Sequence, residues 1–199
     1  MTIQRRTFED TPGAAPWPDD YSALDLGPYR NNIGITPAWS TKAGRLNVWG
    51  NSLPAEELPG GEAIVVNDVP FQFPGTLPGE PDNVRCTGQF VPVPPGRYDW
   101  LYLLAAAERR TEDVMAFHFE DGAVDFEPLR VSDFWHAPAV FGEDEAFATS
   151  VMHYPHHVQE RVSGKIFCQR VPVTRRAVLL AVRFPDNVAV HVFAASLRR

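Results

Sequence analysis

The middle of the chain indicates the fold class, and it reads Val114-Met115-Ala116-Phe117-His118-Phe119-Glu120-Asp121-Gly122-Ala123-Val124-Asp125-Phe126. Apolar and polar side chains alternate along its first half, so Met115, Phe117 and Phe119 fall on one face of a strand. Asp121 and Gly122 are typical of a tight turn, and the apolar pattern resumes beyond them. The pattern predicts a half-buried antiparallel hairpin.

Strand patterns continue on both sides of this hairpin. A second hairpin is predicted at residues 63–73, where two short apolar runs flank Asn67 and Asp68, residue types that tolerate the positive φ of a tight turn. Other strand-like runs lie at residues 98–105, 146–153, 165–173, 177–184 and 188–197. With short pieces near Gly34 and Phe90 they make about ten strands, which suits two packed sheets. We expect an all-β fold, a two-sheet antiparallel β-sandwich that is jelly-roll-like and has little helix.

Length and composition indicate one domain. The 199 residues include 19 prolines and 14 glycines, which disfavour helices and suit a sandwich rich in turns. Residues 1–24 are predicted to be a proline-rich arm, and residues 25–199 a single β-sandwich domain. Seven prolines between residues 70 and 95 predict a long surface loop, in which Asp82 and Asn83 are candidates for function.

Several function classes lack support. The net charge of −7 disfavours nucleic-acid binding, and doublets such as Arg109-Arg110 are typical of solvated turns. We expect a cytoplasmic protein that binds neither nucleic acid nor membrane, because no apolar leader or membrane-spanning run occurs. No dinucleotide or phosphate-binding motif and no serine-hydrolase elbow occurs, so no cofactor is expected. Neither Cys86 nor Cys168 has a second cysteine nearby, which argues against a zinc ribbon.

Six phrases stand in a fixed order along the chain: Asn31-Asn32-Ile33-Gly34-Ile35, Trp49-Gly50-Asn51-Ser52-Leu53-Pro54-Ala55-Glu56-Glu57-Leu58-Pro59, Val69-Pro70-Phe71-Gln72-Phe73-Pro74, Pro81-Asp82-Asn83-Val84, Val131-Ser132-Asp133-Phe134-Trp135 and His191-Val192-Phe193-Ala194. Over about residues 24–197 their order and spacing resemble the β-sandwich accessory domain found beside catalytic domains in secreted bacterial glycoside hydrolases. The resemblance implies a jelly-roll-like sandwich of carbohydrate-binding type. It does not imply catalytic activity, because fold and function separate readily.

Polar and aromatic residues cluster at the ends of the strand-like runs, where loops on a rigid scaffold concentrate binding residues. Aromatic rings offer apolar contact to ring C–H groups, and amides and carboxylates offer partners to hydroxyls. We predict a loop-end pocket for a small polar or sugar-like molecule, with these ligand-binding residues: Asn31, Asn32, Trp49, Asn51, Asp82, Asn83, Trp135, His153 and Tyr154. The alternative is that the tryptophans are core residues and that the Asn and Asp side chains cap turns.

A catalytic use of the same pocket is the second hypothesis. Asp133 and His136 flank Trp135, and a carboxylate that orients a histidine can make a general base. That pair would suit a cofactor-independent hydrolase or cyclase of specialised metabolism. Histidines at residues 153–157 could ligate a metal, but a proline in a loop does not preset tetrahedral geometry, so no metal site is predicted. A third hypothesis is a non-catalytic subunit that stabilises a partner enzyme.

Overall fold

The apolar run of residues 100–107 forms the centre of the larger of the two main β-sheets. The computed structural model describes residues 17–135 and 138–199, so most of the predicted N-terminal arm lies outside the described residues. The described residues form sixteen strands: β1 (Tyr21–Ala23), β2 (Ile35–Thr36), β3 (Leu53–Pro54), β4 (Ala63–Val66), β5 (Val69–Gln72), β6 (Val84–Arg85), β7 (Phe90–Gly96), β8 (Trp100–Ala107), β9 (Thr111–Phe119), β10 (Val124–Val131), β11 (Asp144–Ala148), β12 (Val151–Tyr154), β13 (His157–Glu160), β14 (Lys165–Pro172), β15 (Leu179–Arg183) and β16 (Val190–Arg198).

The strands form two main antiparallel sheets. The larger has the order β1-β16-β8-β14-β11, with β6 also paired to β16, and the smaller has the order β10-β9-β15-β7. Three further pairs, β2-β3, β4-β5 and β12-β13, stand apart from these sheets, and only β2-β3 is parallel. An all-β antiparallel sandwich with little helix is confirmed, because the described helices are three short 3-10 turns at Gly27–Tyr29, Ala38–Ala43 and Ala55–Glu57.

Both faces of the larger sheet are buried. Alternate β8 residues such as Leu103 and Ala105 pack between the two main sheets with Phe117 of β9. The intervening β8 residues, such as Leu104, pack on the opposite side with Phe71 of β5. The three short strand pairs therefore form an outer layer that covers the larger sheet. This explains why β8 is almost uniformly apolar, as is typical of a strand buried on both faces.

Both predicted hairpins are present. Asn67 and Asp68 connect β4 to β5 with φ values of 50° and 63°, and Gly122 turns β9 into β10 with a φ of 81°. Positive φ at both central residues is the conformation of the tightest two-residue hairpin loops. Met115 and Phe117 face the core as the alternation predicted.

Two predicted segments differ from the structure. The run predicted as one strand at residues 146–153 is broken into β11 and β12, because the Thr149 hydroxyl donates to the carbonyl of Val151 at 2.8 Å and accepts from the Gly164 amide at 2.9 Å. The proline-rich stretch of residues 70–95 forms a long loop only over residues 73–83, between β5 and β6. It contains β6 and also β7, an edge strand where prolines need not donate to a neighbour.

Candidate functional site

A pocket of about 640 Å³ opens where β8 ends, beside the outer layer. It is lined by Asn47, Trp49, Asn51, Glu108, Arg109, Asp133, Phe134, Trp135 and Tyr154. The loop of residues 47–51, the end of β8, the segment after β10 and strand β12 each supply part of the wall. The pocket therefore joins sequence segments that are far apart along the chain.

The segment after β10 is fixed by pairing with the end of β8. The Ala107 amide donates to the Ser132 carbonyl at 3.2 Å, and the Phe134 amide donates to the Ala107 carbonyl at 2.9 Å. Asp133 therefore forms a parallel β-bridge with Ala107. Ala107 immediately precedes Glu108 in the chain. The Asp133 carboxylate also accepts the Trp135 amide at 2.9 Å, which turns the chain tightly at this point. This pairing places Asp133 and Glu108, which both line the pocket, beside the same end of β8.

The loop of residues 47–51 is held by two buried amide side chains. Asn47 accepts the backbone amides of Trp49 and Asn51, both at 3.1 Å, and donates to the Asn51 side-chain oxygen at 2.9 Å. Asn51 in turn donates to the carbonyl of His153 at 3.2 Å. Gly50 completes the turn with a φ of 72°. The tip of this turn presents Trp49, which stays 65% exposed.

Aromatic rings form much of the pocket wall. Trp135 and Tyr154 meet edge to face, with ring centroids 6.2 Å apart at 82°. Tyr154 also stacks on His157, with centroids 4.9 Å apart at 13°, which supports the tyrosine ring from outside the pocket lining. Together with Trp49 these rings give apolar surface suited to a flat or ring-bearing molecule.

Glu108 is held in the wall by an ion pair with Arg85. Its Oε1 accepts a hydrogen bond from the Arg85 guanidinium at 2.9 Å and lies 3.6 Å from His191 Nε2. Partial burial of Glu108 acts to raise its pKa, but the interactions with His191 and Arg85 outweigh that effect and lower the pKa below its ordinary value. Glu108 is therefore a carboxylate at neutral pH.

Three predicted ligand-binding residues lie behind the pocket instead of lining it. Asn32, Asp82 and Asn83 are buried, and their polar groups are engaged by one another, by the backbone of Gly34 and Ile35, and by His191. The Asp82 carboxylate accepts the Gly34 amide on both oxygens at 3.0 and 3.1 Å. None of the three lines the pocket, and their side chains hold the chain crossing at residues 31–35.

Two other predicted ligand-binding residues, Asn31 and His153, also have side chains that contact the protein itself. The Asn31 side chain is exposed and exchanges hydrogen bonds with the Arg85 backbone at 2.7 and 3.0 Å. His153 is 1% exposed, and its Nδ1 lies 2.9 Å from the Thr36 hydroxyl. Burial lowers the pKa of His153 below its ordinary value, so the ring is neutral at physiological pH. Neither residue lines the pocket.

The structure brings together five of the predicted site residues: Trp49, Asn51, Asp133, Trp135 and Tyr154. His136, the predicted partner of Asp133, lies outside the described residues. Sequence reasoning missed Asn47, Glu108, Arg109 and Phe134. Glu108 and Arg109 are the first charged residues after a long apolar strand, and that position at a strand end was the available signal.

Other classes of site find little support in the described part of the chain. No three His, Cys, Asp or Glu side chains come together there in a way that could hold a metal ion. Cys86 and Cys168 are free and buried, and burial raises the pKa of both thiols, which makes them poor nucleophiles. Within residues 17–135 and 138–199, no helix has the length and apolar character needed to cross a membrane.

Comparison with known proteins identifies the family. No curated protein matches the chain. A family model described as the AziU2-like beta-sandwich domain matches residues 20–199, which includes both main sheets, the outer layer and every residue that lines the pocket. The chain belongs to the family of AziU2-like beta-sandwich domains.

Proposed function

We propose that this protein binds a small molecule that combines an apolar ring face with polar substituents, such as a sugar-like compound. The observation that carries the proposal is the convergence of Trp49, Trp135 and Tyr154 with polar side chains around one pocket of about 640 Å³. Its volume falls in the range of about 300 to 1,000 Å³ that is usual for small-molecule sites. The carbohydrate-binding type implied by the sequence resemblance supports the same class of ligand.

The exposure of Trp49 supports a binding role for the loop that carries it. A tryptophan ring left 65% exposed gains little from folding, yet two buried asparagines are used to hold its backbone in place. Exposed aromatic rings beside a pocket are common where a ligand completes the burial. A turn held by hydrogen bonds and an exposed indole ring together suit a contact that forms when a ligand binds.

The test is a fragment screen by ¹H–¹⁵N NMR with ring-bearing polyols, amines and carboxylates. We expect binders to shift the indole N–H signals of Trp49 and Trp135. Trp49→Ala should weaken binding at least about tenfold, since buried aromatic contacts often contribute more than 1 kcal/mol. Trp39→Ala is the matched control, because Trp39 is 76% exposed and does not line the pocket. The proposal fails if no fragment moves the two indole signals, or if both variants bind equally well.

An acid/base enzyme is the second candidate, and the shared wall position of Asp133 and Glu108 favours it. Two carboxylates in one partly apolar pocket can divide proton donation and abstraction between them. The test incubates each bound fragment with the wild-type protein and with Asp133→Asn, and follows new products by NMR. Turnover that Asp133→Asn abolishes while binding persists would establish catalysis, and the absence of product from every bound fragment would exclude it.

A non-catalytic subunit is the third candidate. The outward face of the smaller sheet exposes apolar side chains that a partner protein could cover, among them Phe90, Val114 and Phe126, with Phe126 67% exposed. Exposed apolar surface of this kind is typical of interaction sites. A partner that purifies with wild-type protein but not with Phe126→Ser would support this function, and retention by both proteins would contradict a role for this face.

A further inference from the structure

We propose that a second pocket, beside strand β1, binds a small carboxylate with an apolar body, and that Arg30 is the residue that binds the carboxylate group. This Arg30 pocket has a volume of about 280 Å³ and lies where β1, the residues after it, the end of β5 and the middle of β16 meet. No described residue lines both it and the Trp49 pocket described above. Binding here is therefore independent of the proposed function.

The hydrogen-bond donors of Arg30 are unused. Arg30 is partly buried and lines the pocket, and its Nε is buried without a hydrogen-bond partner. Its guanidinium forms no hydrogen bond and no ion pair with any residue of ranges 17–135 and 138–199. A buried charged donor without an acceptor is costly, and such groups in folded proteins are almost always paired. A ligand that supplies an acceptor would remove this cost.

Two carboxylates lie near Arg30, and neither is its acceptor. Arg30 is close enough to act to lower the pKa of Asp82, but the Asp82 oxygens accept two backbone amides and a side-chain amide. Asp25 lines the pocket, but its carboxylate accepts the Gly27 amide at 2.9 Å, and its exposed charge is screened by solvent. The unused donors of Arg30, and not the net charge of the pocket, therefore favour a ligand with an acceptor.

The lining of the pocket favours a carboxylate on an apolar body. A planar guanidinium matches the two oxygens of a carboxylate, and hydrogen bonds between charged groups are stronger than those between neutral ones. Much of the remaining lining is apolar and comes from Trp17, Leu24, Leu26 and Phe193. Trp17 is partly exposed, so a ligand packed on its indole ring would bury more of it. A volume near the lower end of the usual range suits a ligand with a single ring.

The test compares cyclohexanecarboxylate with cyclohexanecarboxamide, a neutral molecule of nearly the same shape, by NMR at neutral pH. We expect the carboxylate to bind at least about tenfold more tightly than the carboxamide. It should shift the Trp17 indole signal and the Arg30 Nε–H signal. The indole signals of Trp49 and Trp135 should not move. Acetate, which lacks the apolar body, should bind at least about tenfold more weakly than cyclohexanecarboxylate.

Variants of the charged residues test the role of Arg30. Arg30→Gln should abolish the preference for the carboxylate. Arg30→Lys keeps the charge but not the planar fork, so it should retain only part of the preference. Asp25→Asn should strengthen carboxylate binding, because it removes a like charge beside the ligand. Arg176→Gln is the matched control, since Arg176 is exposed and does not line the pocket, and it should bind as the wild type does.

Trp17→Ala tests the apolar wall and does not depend on Arg30→Gln being folded. It should weaken the binding of cyclohexanecarboxylate at least about threefold, because it removes the indole contact. At saturating cyclohexanecarboxylate the Arg30 Nε–H signal should still shift in this variant. Binding unchanged by Trp17→Ala would contradict the placement of the apolar body.

The outcomes separate this inference from the proposed function. Equal binding of the carboxylate and the carboxamide, or a preference that survives in Arg30→Gln, would overturn the role of Arg30. Shifts confined to Trp49 and Trp135 would place the carboxylate in the Trp49 pocket and would also overturn it. If the carboxylate moves the Trp17 signal and no fragment moves the other two, this site is supported and the proposed function is wrong.

Discussion

Asp82 is a carboxylate buried for a structural purpose. It is 1% exposed, and it accepts the backbone amides of Gly34 and Ile35 at 2.9 to 3.1 Å. Burial raises its pKa from 3.8 to about 7, although these hydrogen bonds and one from Asn83 act in the opposite direction. The group that anchors residues 31–35 is therefore also one that titrates near neutral pH.

The first prediction concerns the pH dependence of stability. Between pH 3.8 and about 7 the folded protein retains a proton on Asp82 that the unfolded chain has released, so this group makes stability fall as the pH rises. Relative to Asp82→Asn, the wild-type protein should lose roughly 2 to 3 kcal/mol of unfolding free energy between about pH 5 and about pH 8. Urea unfolding followed by tryptophan fluorescence at several pH values measures this.

The comparison of the wild-type protein with Asp82→Asn separates the effect of Asp82 on stability from the effect of the buried histidines. Burial lowers the pKa values of His153 and His191, so they make stability fall as the pH drops, which is the opposite slope. Both histidines are present in wild type and variant, and their effect cancels in the difference. Asp186→Asn, at an exposed carboxylate, should leave the wild-type slope unchanged. Parallel profiles for wild type and Asp82→Asn would contradict the assignment.

At the residue scale, the sequence predicted the aromatic residues of the pocket more accurately than its polar residues. Trp49 and Trp135 stand at the ends of strand-like runs, and both line the pocket. Asn32 and Asp82 stand in similar places but serve the backbone, since short polar side chains readily satisfy nearby amides. Whether a polar side chain binds the backbone or lines the pocket depends on where a segment distant in sequence lies. The local sequence does not specify the position of that segment.

At the scale of elements, the turn at residues 47–51 controls the position of Trp49. Gly50 has a φ of 72°, and a Cβ there would come 3.0 Å from the Pro155 ring. Gly50→Ala should cost about 1 to 3 kcal/mol of stability, because it combines backbone strain with a close contact. It should also weaken fragment binding, since the turn must shift. Thermal unfolding and the Trp49 indole signal measure the two effects.

Gly79→Ala is the matched control for this turn. Gly79 has a φ of 82° and nothing within 4 Å of its Cβ position, so the strain is similar but no contact is made. This variant should be less destabilised than Gly50→Ala and should bind fragments as the wild type does. Equal loss of binding in both variants would mean that lowered stability, and not the geometry of the turn, explains the effect.

The two hairpins were predictable, whereas the β2-β3 and β12-β13 pairs of the outer layer were not. Alternation over β9 and turn residues between β4 and β5 are local signals, and both hairpins are present. The pairs β2-β3 and β12-β13 are two to four residues long, too short for a reliable pattern. Their role as a cover for the larger sheet follows from tertiary packing, and the only hint was the uniform apolarity of β8.

At the scale of the whole molecule, the larger sheet belongs to two cores. Leu103 of β8 packs in the core between the main sheets, and Leu104 packs in the core beneath the outer layer. The hydroxyl of Ser196 on β16 also donates to the Pro70 carbonyl of β5 at 2.5 Å, which ties the layers together. A substitution that destabilises one core should therefore also destabilise the other, because β8 and β16 belong to both.

The last prediction tests this coupling with Phe71→Ala in the outer core and Phe117→Ala in the sandwich core, both at fully buried positions. Each truncation should cost about 3 to 5 kcal/mol. Because the cores share one sheet, urea unfolding should stay a single transition in both variants, coincident by circular dichroism and tryptophan fluorescence. A separate early transition in Phe71→Ala alone would contradict the coupling. Such an early transition would mean that the outer layer unfolds before the sandwich, together with the pocket walls that carry Trp49, Trp135 and Tyr154. Ligand binding would then be lost while the main sheets remained intact.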